Sequence, residues 1–195
     1  MVLLCFPLVV IIAVAAILLP GWLRDRPLHH LGVVQEGVLY RGGQPDAENL
    51  DALVSTYKIK TIVNLRGADV KEDWYRTERD FCERRGVRLI DLPFGKPDRI
   101  VSELKEFLSV ATDKANWPVF AHCEAGSVRT GYAVASYRIA VQGWTYEQAL
   151  AEAREFRFDP LKINPTYDTI LRELAGGADW HNLKAPATSA SAPAE

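Results

Sequence analysis

The sequence predicts an α/β fold with a mainly parallel central sheet flanked by helices. Two observations carry this prediction. Segments with a helical spacing of apolar residues alternate with short β-rich apolar runs, and a strand, a tight loop and a helix follow one another over residues 117–141. With the two ends set aside, roughly 140 residues remain, which is the size of one domain. We therefore expect a single domain over residues 37–175.

The helices and strands of this domain follow from the patterning in chain order. Helices are predicted at residues 46–57, 73–85, 99–115, 130–141 and 145–157, with a last one opened by Pro165. Strands are predicted at residues 59–65, 87–92 and 117–121. Thr145 and Gln148 have the spacing of a capping box, which supports the start of the helix at that point.

The most reactive side chains lie between the last predicted strand and the helix that follows it. They occupy ten consecutive residues: His122, Cys123, Glu124, Ala125, Gly126, Ser127, Val128, Arg129, Thr130 and Gly131. The five residues between the cysteine and the arginine can wrap around a tetrahedral oxyanion, with their backbone N–H groups pointing inward. The anion would then lie at a helix N-terminus, which favours negative charge. This pattern indicates phosphate chemistry.

Each residue type in this stretch has a chemical task. A free thiol titrates near ~8.5, and a thiol facing a helix N-terminus ionises at lower pH, so we expect Cys123 to be a thiolate that attacks phosphorus without a base. Arg129 offers a planar fork of donors for two phosphate oxygens. Thr130 places a hydroxyl where it can ease departure of the thiolate. We expect His122 to orient the loop and Gly131 to let the helix approach the sheet.

The stretch His-Cys-x5-Arg-Thr-Gly over residues 122–131 resembles the signature of the cysteine-dependent protein tyrosine phosphatase superfamily. The length fits the compact dual-specificity type, and residues 39–45 and 60–67 resemble the opening of atypical dual-specificity phosphatases of bacteria, plants and fungi. The resemblance spans about residues 37–175 and implies a dual-specificity phosphatase-like fold. It also implies a phosphomonoester hydrolase that forms a phosphocysteine and needs no cofactor. The phosphate-binding residues would be Glu124, Ala125, Gly126, Ser127, Val128 and Arg129.

The resemblance further implies a carboxylic acid that protonates the leaving oxygen, on a loop upstream of the helix preceding the cysteine strand. Asp98 is the only acid on the corresponding loop, residues 93–99. It could equally be the N-cap of the next helix. Asp91, at the end of a predicted strand, is the alternative general acid.

The substrate class follows in part from the loop side chains. None of Glu124, Ala125, Ser127 and Val128 is basic, and Glu124 would repel a substrate with several phosphates. This favours phosphotyrosine, phosphoserine or phosphothreonine in proteins, or a singly phosphorylated small molecule. An inositol phosphate or pyrophosphate phosphatase is the alternative.

Two further function classes remain at this stage. A rhodanese-like sulfurtransferase also uses a cysteine in a loop of backbone donors, but Arg129 to Gly131 and residues 40–45 count against it. A phosphate-binding module without turnover is the other class, and the intact Cys123 and Arg129 count against that.

Residues 2–19 contain no charged or strongly polar side chain, and this run of 18 residues is at the short end for a membrane span. We expect a transmembrane anchor at residues 1–23 and a linker at residues 24–36. Because Arg24 and Arg26 follow the run, the positive-inside rule favours a single-pass protein whose catalytic domain faces the cytoplasm. A cleaved signal peptide and an exported domain are the alternatives.

Composition limits the other partners. The chain has 23 basic and 25 acidic residues and a net charge of -2, so it lacks the basic excess that nucleic-acid binding uses. Its four histidines have no metal-ligand spacing with the cysteines, so no metal is expected. Residues 176–195 are rich in Ala, Ser and Pro and are predicted to form a flexible tail. The sequence predicts no particular oligomeric state.

Overall fold

A computed structural model describes residues 28–96 and 98–184. Five strands form one sheet in the order β1-β2-β5-β3-β4. Their bounds are β1 Gly32–Gln35, β2 Leu39–Gly42, β3 Thr61–Asn64, β4 Arg88–Asp91 and β5 Val119–His122. The three pairings among β2, β5, β3 and β4 are parallel, and β1 pairs with β2 in the antiparallel direction.

The sheet is therefore mixed: three of its four pairings are parallel, and the antiparallel hairpin of β1 and β2 at one edge was not predicted. The hairpin was not among the predicted elements because its strands, Gly-Val-Val-Gln and Leu-Tyr-Arg-Gly, lack the longer apolar runs that predicted β3 and β5. β1 also lies inside residues 24–36, the segment predicted as a linker.

Seven α-helices are present in the described part of the chain: α1 Ala47–Tyr57, α2 Asp73–Arg85, α3 Ile100–Thr112, α4 Val128–Ala140, α5 Tyr146–Glu155, α6 Pro160–Ile163 and α7 Pro165–Ala175. Four of them, α1, α5, α6 and α7, begin at a side-chain cap. Asp46 accepts a hydrogen bond from the Asn49 N–H at the start of α1. The capping box of Thr145 and Gln148 at the start of α5 is confirmed.

The helices cover both faces of the sheet. On one face, Leu50 of α1 and Phe81 of α2 pack with Ile62 and Phe120 of the strands. On the other face, α3, α4, α5 and α7 form the larger core. Because side chains of a strand alternate between faces, the neighbours of Ile62 and Phe120 in the chain contribute to this second core. The central strand β5 is buried throughout, which fixes the position of the loop that follows it.

The predicted transmembrane helix and the predicted membrane location need correction. No helix in residues 28–96 and 98–184 is long and apolar enough to cross a membrane. The longest of these helices have 13 residues, about 20 Å, whereas a bilayer core is about 30 Å thick. The segment predicted as an anchor, residues 1–23, lies outside the described residues. What the structure supports is an α/β fold with a mixed sheet flanked by helices.

Candidate active site

The candidate site lies at the edge of the sheet where three parallel strands end. β2, β3 and β5 are in register there, so Gly42, Asn64 and His122 stand side by side. Cys123 follows directly, and α4 begins at Val128. We call residues 123–129 the cysteine loop. The loops after β2 and β3 flank it on both sides because their strands are the two neighbours of β5.

The cysteine loop presents a series of backbone donors next to a helix N-terminus. Cys123 is buried, with 3% of its surface exposed. Among the described residues, the N–H groups of residues 124–129 find no acceptor. The first helical bond at this end of α4 runs from the Gly131 N–H to the Ser127 carbonyl, at 2.6 Å. Unpaired donors at a helix N-terminus carry partial positive charge, so this loop can bind a tetrahedral anion.

The loop after β2 supports the cysteine loop from behind. Gly126 has a φ of +72°, and a Cβ on it would lie 2.7 Å from the Gly42 carbonyl carbon and the Gly43 nitrogen. Only glycine permits both that backbone conformation and that approach. The Gln44 N–H donates to the Glu124 carbonyl at 2.9 Å. The two loops are therefore packed backbone against backbone.

A buried cation, Arg41 of β2, lies behind the same loop. Its Nη2 donates to the Gly126 carbonyl at 2.7 Å, and its guanidinium carbon lies 3.8 Å from the centroid of the Phe156 ring. Burial lowers the pKa of Arg41 to about 10, and negative charge at Glu152 and Cys123 opposes that lowering. Arg41 therefore stays protonated at neutral pH. Sequence analysis gave it no role, although it belongs to the segment that resembled the phosphatase opening.

His122 is fully buried and pairs with an acid that sequence analysis did not single out. Its Nε2 lies 2.9 Å from Oε1 of Glu78 on α2, and neither side chain has any exposed surface. Its Nδ1 lies 3.3 Å from the Cys123 carbonyl oxygen. One sequence signal could have found Glu78. It falls on the apolar stripe through Trp74, Phe81 and Cys82, where a charged residue needs a buried partner.

The residues that close the cysteine loop occupy different depths. The Arg129 side chain is partly exposed, and its Nη2 lies 4.0 Å from Glu124 Oε2 at the rim. The Thr130 hydroxyl is buried and donates to a main-chain carbonyl of β2 at 3.5 Å. A Cβ on Gly131 would lie 2.6 Å from Phe158 Cβ. Gly131 thus permits a close approach, but to Phe158 and not to the sheet as expected.

The outer side of the cysteine loop is held by His30. Its Nδ1 lies 2.6 Å from the Ala125 carbonyl and 3.2 Å from the Ser127 hydroxyl. The side chains of Glu124 and Ala125 are exposed, that of Val128 is half-buried and that of Ser127 is buried. The rim is therefore small and acidic.

The two candidate acids have different surroundings. The Asp91 carboxylate accepts hydrogen bonds from Asn64 Nδ2 and from the Tyr75 hydroxyl, both at 2.7 Å. Burial, and then Asp91 itself, raises the pKa of Tyr75 to about 12, so the hydroxyl remains a donor. Asp98 is exposed and makes no hydrogen bond or ion pair within the described residues. The N-cap of α3 is Arg99, without a side-chain cap, so the alternative of Asp98 as an N-cap is not observed.

A third carboxyl lies on the buried face of α3. Glu103 is almost fully buried, and Arg99 Nε lies 3.5 Å from its Oε1. Burial raises the pKa of Glu103. Sequence analysis missed Glu103, although its place on the apolar face beside Leu104 marks it as unusual.

A basic group lies beyond Gln44 on the loop after β3. The Arg66 guanidinium stacks on Trp74, with its carbon 3.5 Å from the ring centroid, and its Nη1 donates to Gln44 Oε1 at 3.2 Å. Since the Gln44 backbone bonds Glu124, this cation is tied to the cysteine loop. Across residues 28–96 and 98–184, no cluster of three or more His, Cys, Asp or Glu side chains could hold a metal ion.

Comparisons with known proteins agree with this geometry. A family model described as a DSP-PTPase phosphatase fused to NAD+ kinase matches residues 28–168. The chain is 35% identical over 124 residues to the dual specificity protein phosphatase TpbA of Pseudomonas aeruginosa, covering 62% of this chain and 51% of TpbA. It is 28% identical over 159 residues to the inositol diphosphatase SIW14 of Saccharomyces cerevisiae, covering 76% of this chain and 55% of SIW14. The chain thus spans about half the length of these curated relatives.

Solved structures give the same result for the fold. A crystal structure of P. aeruginosa TpbA has a TM-score of 0.59 and 28% identity, and the match covers 80% of this chain and 89% of that one. The core catalytic domain of SIW14 shares the fold. It has a TM-score of 0.60 and 24% identity, and the match covers 81% of this chain and 98% of that one. Since the family model matches well over half of the chain, the protein belongs to the cysteine-dependent dual-specificity phosphatase (DSP-PTPase) family.

Proposed function

We propose that this protein is a phosphomonoester hydrolase that works through a phosphocysteine at Cys123. The observation that carries the proposal is the position of the buried Cys123 thiol at the start of the cysteine loop. The successive N–H donors of this loop are unpaired within the described residues and lie at a helix N-terminus. Family membership supports the same activity.

The proposed reaction has two steps. The Cys123 thiolate attacks phosphorus, the S–P bond forms, and the P–O bond to the leaving group breaks, with a proton delivered to that oxygen. Water then attacks the phosphocysteine, phosphate leaves, and the thiolate is regenerated. The Arg129 guanidinium and the loop amides stabilise the charge on the phosphoryl oxygens in both steps. The Thr130 hydroxyl, buried beside the loop, assists departure of the thiolate.

We assign the general acid to Asp98. Its carboxyl is exposed and has no partner in the described residues, so it is free to carry a proton to a leaving oxygen. Both oxygens of Asp91 are already engaged as acceptors, by Asn64 and Tyr75. Those contacts tie Asp91 to β3 and α2 and leave it a structural role.

The substrate we favour carries one phosphate, on a protein or a small molecule, because the exposed Glu124 stands 4.0 Å from Arg129 at the rim. An inositol phosphate or pyrophosphate is the second candidate. The Arg66 guanidinium, tied to the cysteine loop through Gln44, supports it because it offers a cation for a further phosphate. Relatives carry both names, a dual specificity protein phosphatase and an inositol diphosphatase.

The test is hydrolysis of an aryl phosphate by the full chain, without metal and under reducing conditions, beside Cys123→Ser and Cys82→Ser variants. Cys82 is a buried thiol of the other core, so its variant controls for the chemical change alone. We expect vanadate-sensitive turnover that disappears in Cys123→Ser and persists in Cys82→Ser, while Cys123→Ser still binds phosphate. Comparable turnover by Cys123→Ser would exclude the covalent mechanism. Sulfur transfer to cyanide without phosphate release would instead support the rhodanese-like class.

Phosphopeptides and a polyphosphorylated inositol, supplied at equal concentrations, separate the two substrate classes. We expect a higher kcat/KM for the phosphopeptides. A much higher value for the inositol substrate, lost on Arg66→Gln, would establish the second candidate.

A further inference from the structure

Two side chains that the proposed reaction leaves unused hold the cysteine loop by its carbonyl groups. Nδ1 of His30 lies 2.6 Å from the Ala125 carbonyl oxygen. Because a carbonyl oxygen can only accept a hydrogen bond, this nitrogen carries the proton and donates it. Nη2 of Arg41 donates to the next carbonyl, that of Gly126, at 2.7 Å. Two successive carbonyls of the loop are therefore held by donors that lie 95 and 85 positions away along the chain.

Holding a carbonyl also fixes the direction of an N–H group. The carbonyl of one residue and the N–H of the next belong to the same planar peptide unit, and in a trans unit they point in opposite directions. With the Ala125 carbonyl turned towards His30, the Gly126 N–H points away from His30. With the Gly126 carbonyl turned towards Arg41, the Ser127 N–H points away from Arg41.

The N–H groups fixed in this way are among those proposed to bind the anion. Neither the Gly126 N–H nor the Ser127 N–H has an acceptor among the described residues. The preceding peptide unit follows the same arrangement. There the Gln44 N–H holds the Glu124 carbonyl at 2.9 Å, which turns the Ala125 N–H to the opposite side. Three consecutive N–H groups are thus turned away from the outside donors and towards the inside of the cysteine loop.

The surroundings of Arg41 support a role in holding the loop. Its side chain is buried, and its Nε and Nη1 have no partner in the described residues, so the Gly126 carbonyl is its one hydrogen-bond acceptor there. A buried cation with a single acceptor is costly, and the Phe156 ring under the guanidinium offsets part of that cost. The same ring lies edge-on to His30, with centroids 6.2 Å apart. Phe156 therefore supports both donors.

We propose that His30 and Arg41 are positioning residues for the phosphate-binding donors of the cysteine loop. By holding two carbonyls, they direct the N–H groups of Gly126 and Ser127 at the phosphoryl oxygens. This inference rests on the proposed function, in which those N–H groups bind the phosphoryl group. Donors that are fixed before binding need no reorganisation as charge develops on the phosphoryl oxygens, so each is worth more than a mobile donor.

The experiment is the binding of inorganic phosphate to the full chain carrying Cys123→Ser, measured by calorimetry and by proton–nitrogen NMR of the loop amides. Because serine removes the thiolate, a change in phosphate affinity reports on the loop and not on ionisation of the thiol. His30→Phe keeps an aromatic ring beside Phe156 and removes the donor. Arg41→Met keeps an unbranched buried side chain and removes the other donor. His29→Phe, at the exposed neighbouring histidine, is the matched control.

We expect His30→Phe and Arg41→Met each to weaken phosphate binding by about tenfold, the loss expected for one hydrogen bond to a charged group. His29→Phe should leave the affinity unchanged. The amide signals give a signature that general destabilisation or loss of charge would not produce. When phosphate is added, Gly126 should lose its response in His30→Phe and Ser127 should lose its response in Arg41→Met, while the other loop amides still respond.

A conservative variant tests the hydrogen bond of His30 directly. His30→Asn keeps a side-chain N–H near the place of Nδ1, and asparagine tolerates the left-handed backbone of this residue, whose φ is +55°. It should recover most of the affinity that His30→Phe loses. A folded asparagine variant that binds phosphate as weakly as the phenylalanine variant contradicts the proposal.

Two further outcomes would overturn the proposal. One is unchanged phosphate affinity in folded His30→Phe and Arg41→Met, and the other is an equal loss of response at every loop amide. If Arg41→Met fails to fold, His30→Phe still decides, because His30 is only half-buried. Absence of phosphate binding in the Cys123→Ser parent, together with absence of turnover in the wild type, would instead contradict the proposed function.

Discussion

At the scale of single residues, the candidate site separates carboxyl groups by their partners. Asp91 and Asp98 are both acids near the carboxyl edge of the sheet, and the sequence left their roles open. Hydrogen bonds from Asn64 and Tyr75 tie Asp91 to the fold, whereas Asp98 is exposed and unbonded among the described residues. The same type of side chain thus has a structural role in one place and a proposed chemical role in the other.

This difference predicts opposite outcomes for two matched substitutions. Asp98→Asn should slow hydrolysis of phosphotyrosine by roughly a hundredfold and an activated aryl phosphate far less, because only the poorer leaving group needs a proton. Asp91→Asn should lower the free energy of unfolding by about 1–2 kcal/mol and affect both substrates equally. Steady-state kinetics and urea unfolding check the pair. Equal small effects of Asp98→Asn on both substrates would remove it from the role of general acid.

At the scale of elements, the cysteine loop depends on how closely β2 and its loop approach it. The Gly126 conformation and the contact with Gly42 and Gly43 leave no room for a side chain. Arg41 then adds a hydrogen bond to the Gly126 carbonyl. The shape of the proposed anion site is thus set jointly by two loops that are far apart in sequence.

Gly126→Ala should accordingly be severe. It combines a left-handed backbone with a Cβ 2.7 Å from main-chain atoms, so we expect loss of phosphate binding and at least about 2 kcal/mol of destabilisation. Gly86→Ala is the matched control, because Gly86 has a φ of +65° but open space around its Cβ position. Gly86→Ala should lower the free energy of unfolding by only about 1 kcal/mol and leave the activity intact. Urea unfolding and phosphate binding measure both, and similar costs for the two variants would contradict the steric argument.

At the scale of the whole molecule, helix contacts away from the site hold the larger core together. Asp168 of α7 accepts hydrogen bonds from the Tyr146 hydroxyl of α5 and from Arg172 Nε, the latter at 2.8 Å. Partial burial alone would raise the pKa of Asp168, but these hydrogen bonds outweigh it and lower the pKa below 3.8. A carboxylate whose pKa is lower in the folded state stabilises the fold at pH values above its unfolded-state pKa. This contribution is lost as the pH falls through the folded-state pKa.

Asp168→Asn should therefore destabilise the protein at neutral pH by about 1 kcal/mol, a low value for a charged hydrogen bond because the group borders on solvent. The difference from wild type should close as pH falls below 3.8 and through the lowered pKa of Asp168. Urea unfolding at neutral and acidic pH measures this difference in the free energy of unfolding. Glu106→Gln, at an exposed glutamate, is the control. A difference independent of pH would show that the carboxylate charge plays no part.

Contacts within a short stretch of chain were readily predicted. The capping box at Thr145 and most helices follow from spacings of three or four residues. β1 and β2 were missed because neither lies in an apolar run long enough to stand out, and it is their pairing with each other and with β5 that defines them. The membrane span was inferred from an apolar run of 18 residues followed by Arg24 and Arg26, and it is not supported by the helices of the described chain.

The sequence by itself determined the family, and it predicted the central part of the proposed site, because Cys123, Arg129 and the loop between them are contiguous and their order encodes a strand, a loop and a helix. Only the tertiary structure decided what surrounds that loop. Arg41 reaches Gly126 across 85 positions, and Glu78 reaches His122 from another helix. Such partners are chosen by packing of the sheet and its helices, since burial forces each charge to find a counterpart that no local spacing reveals.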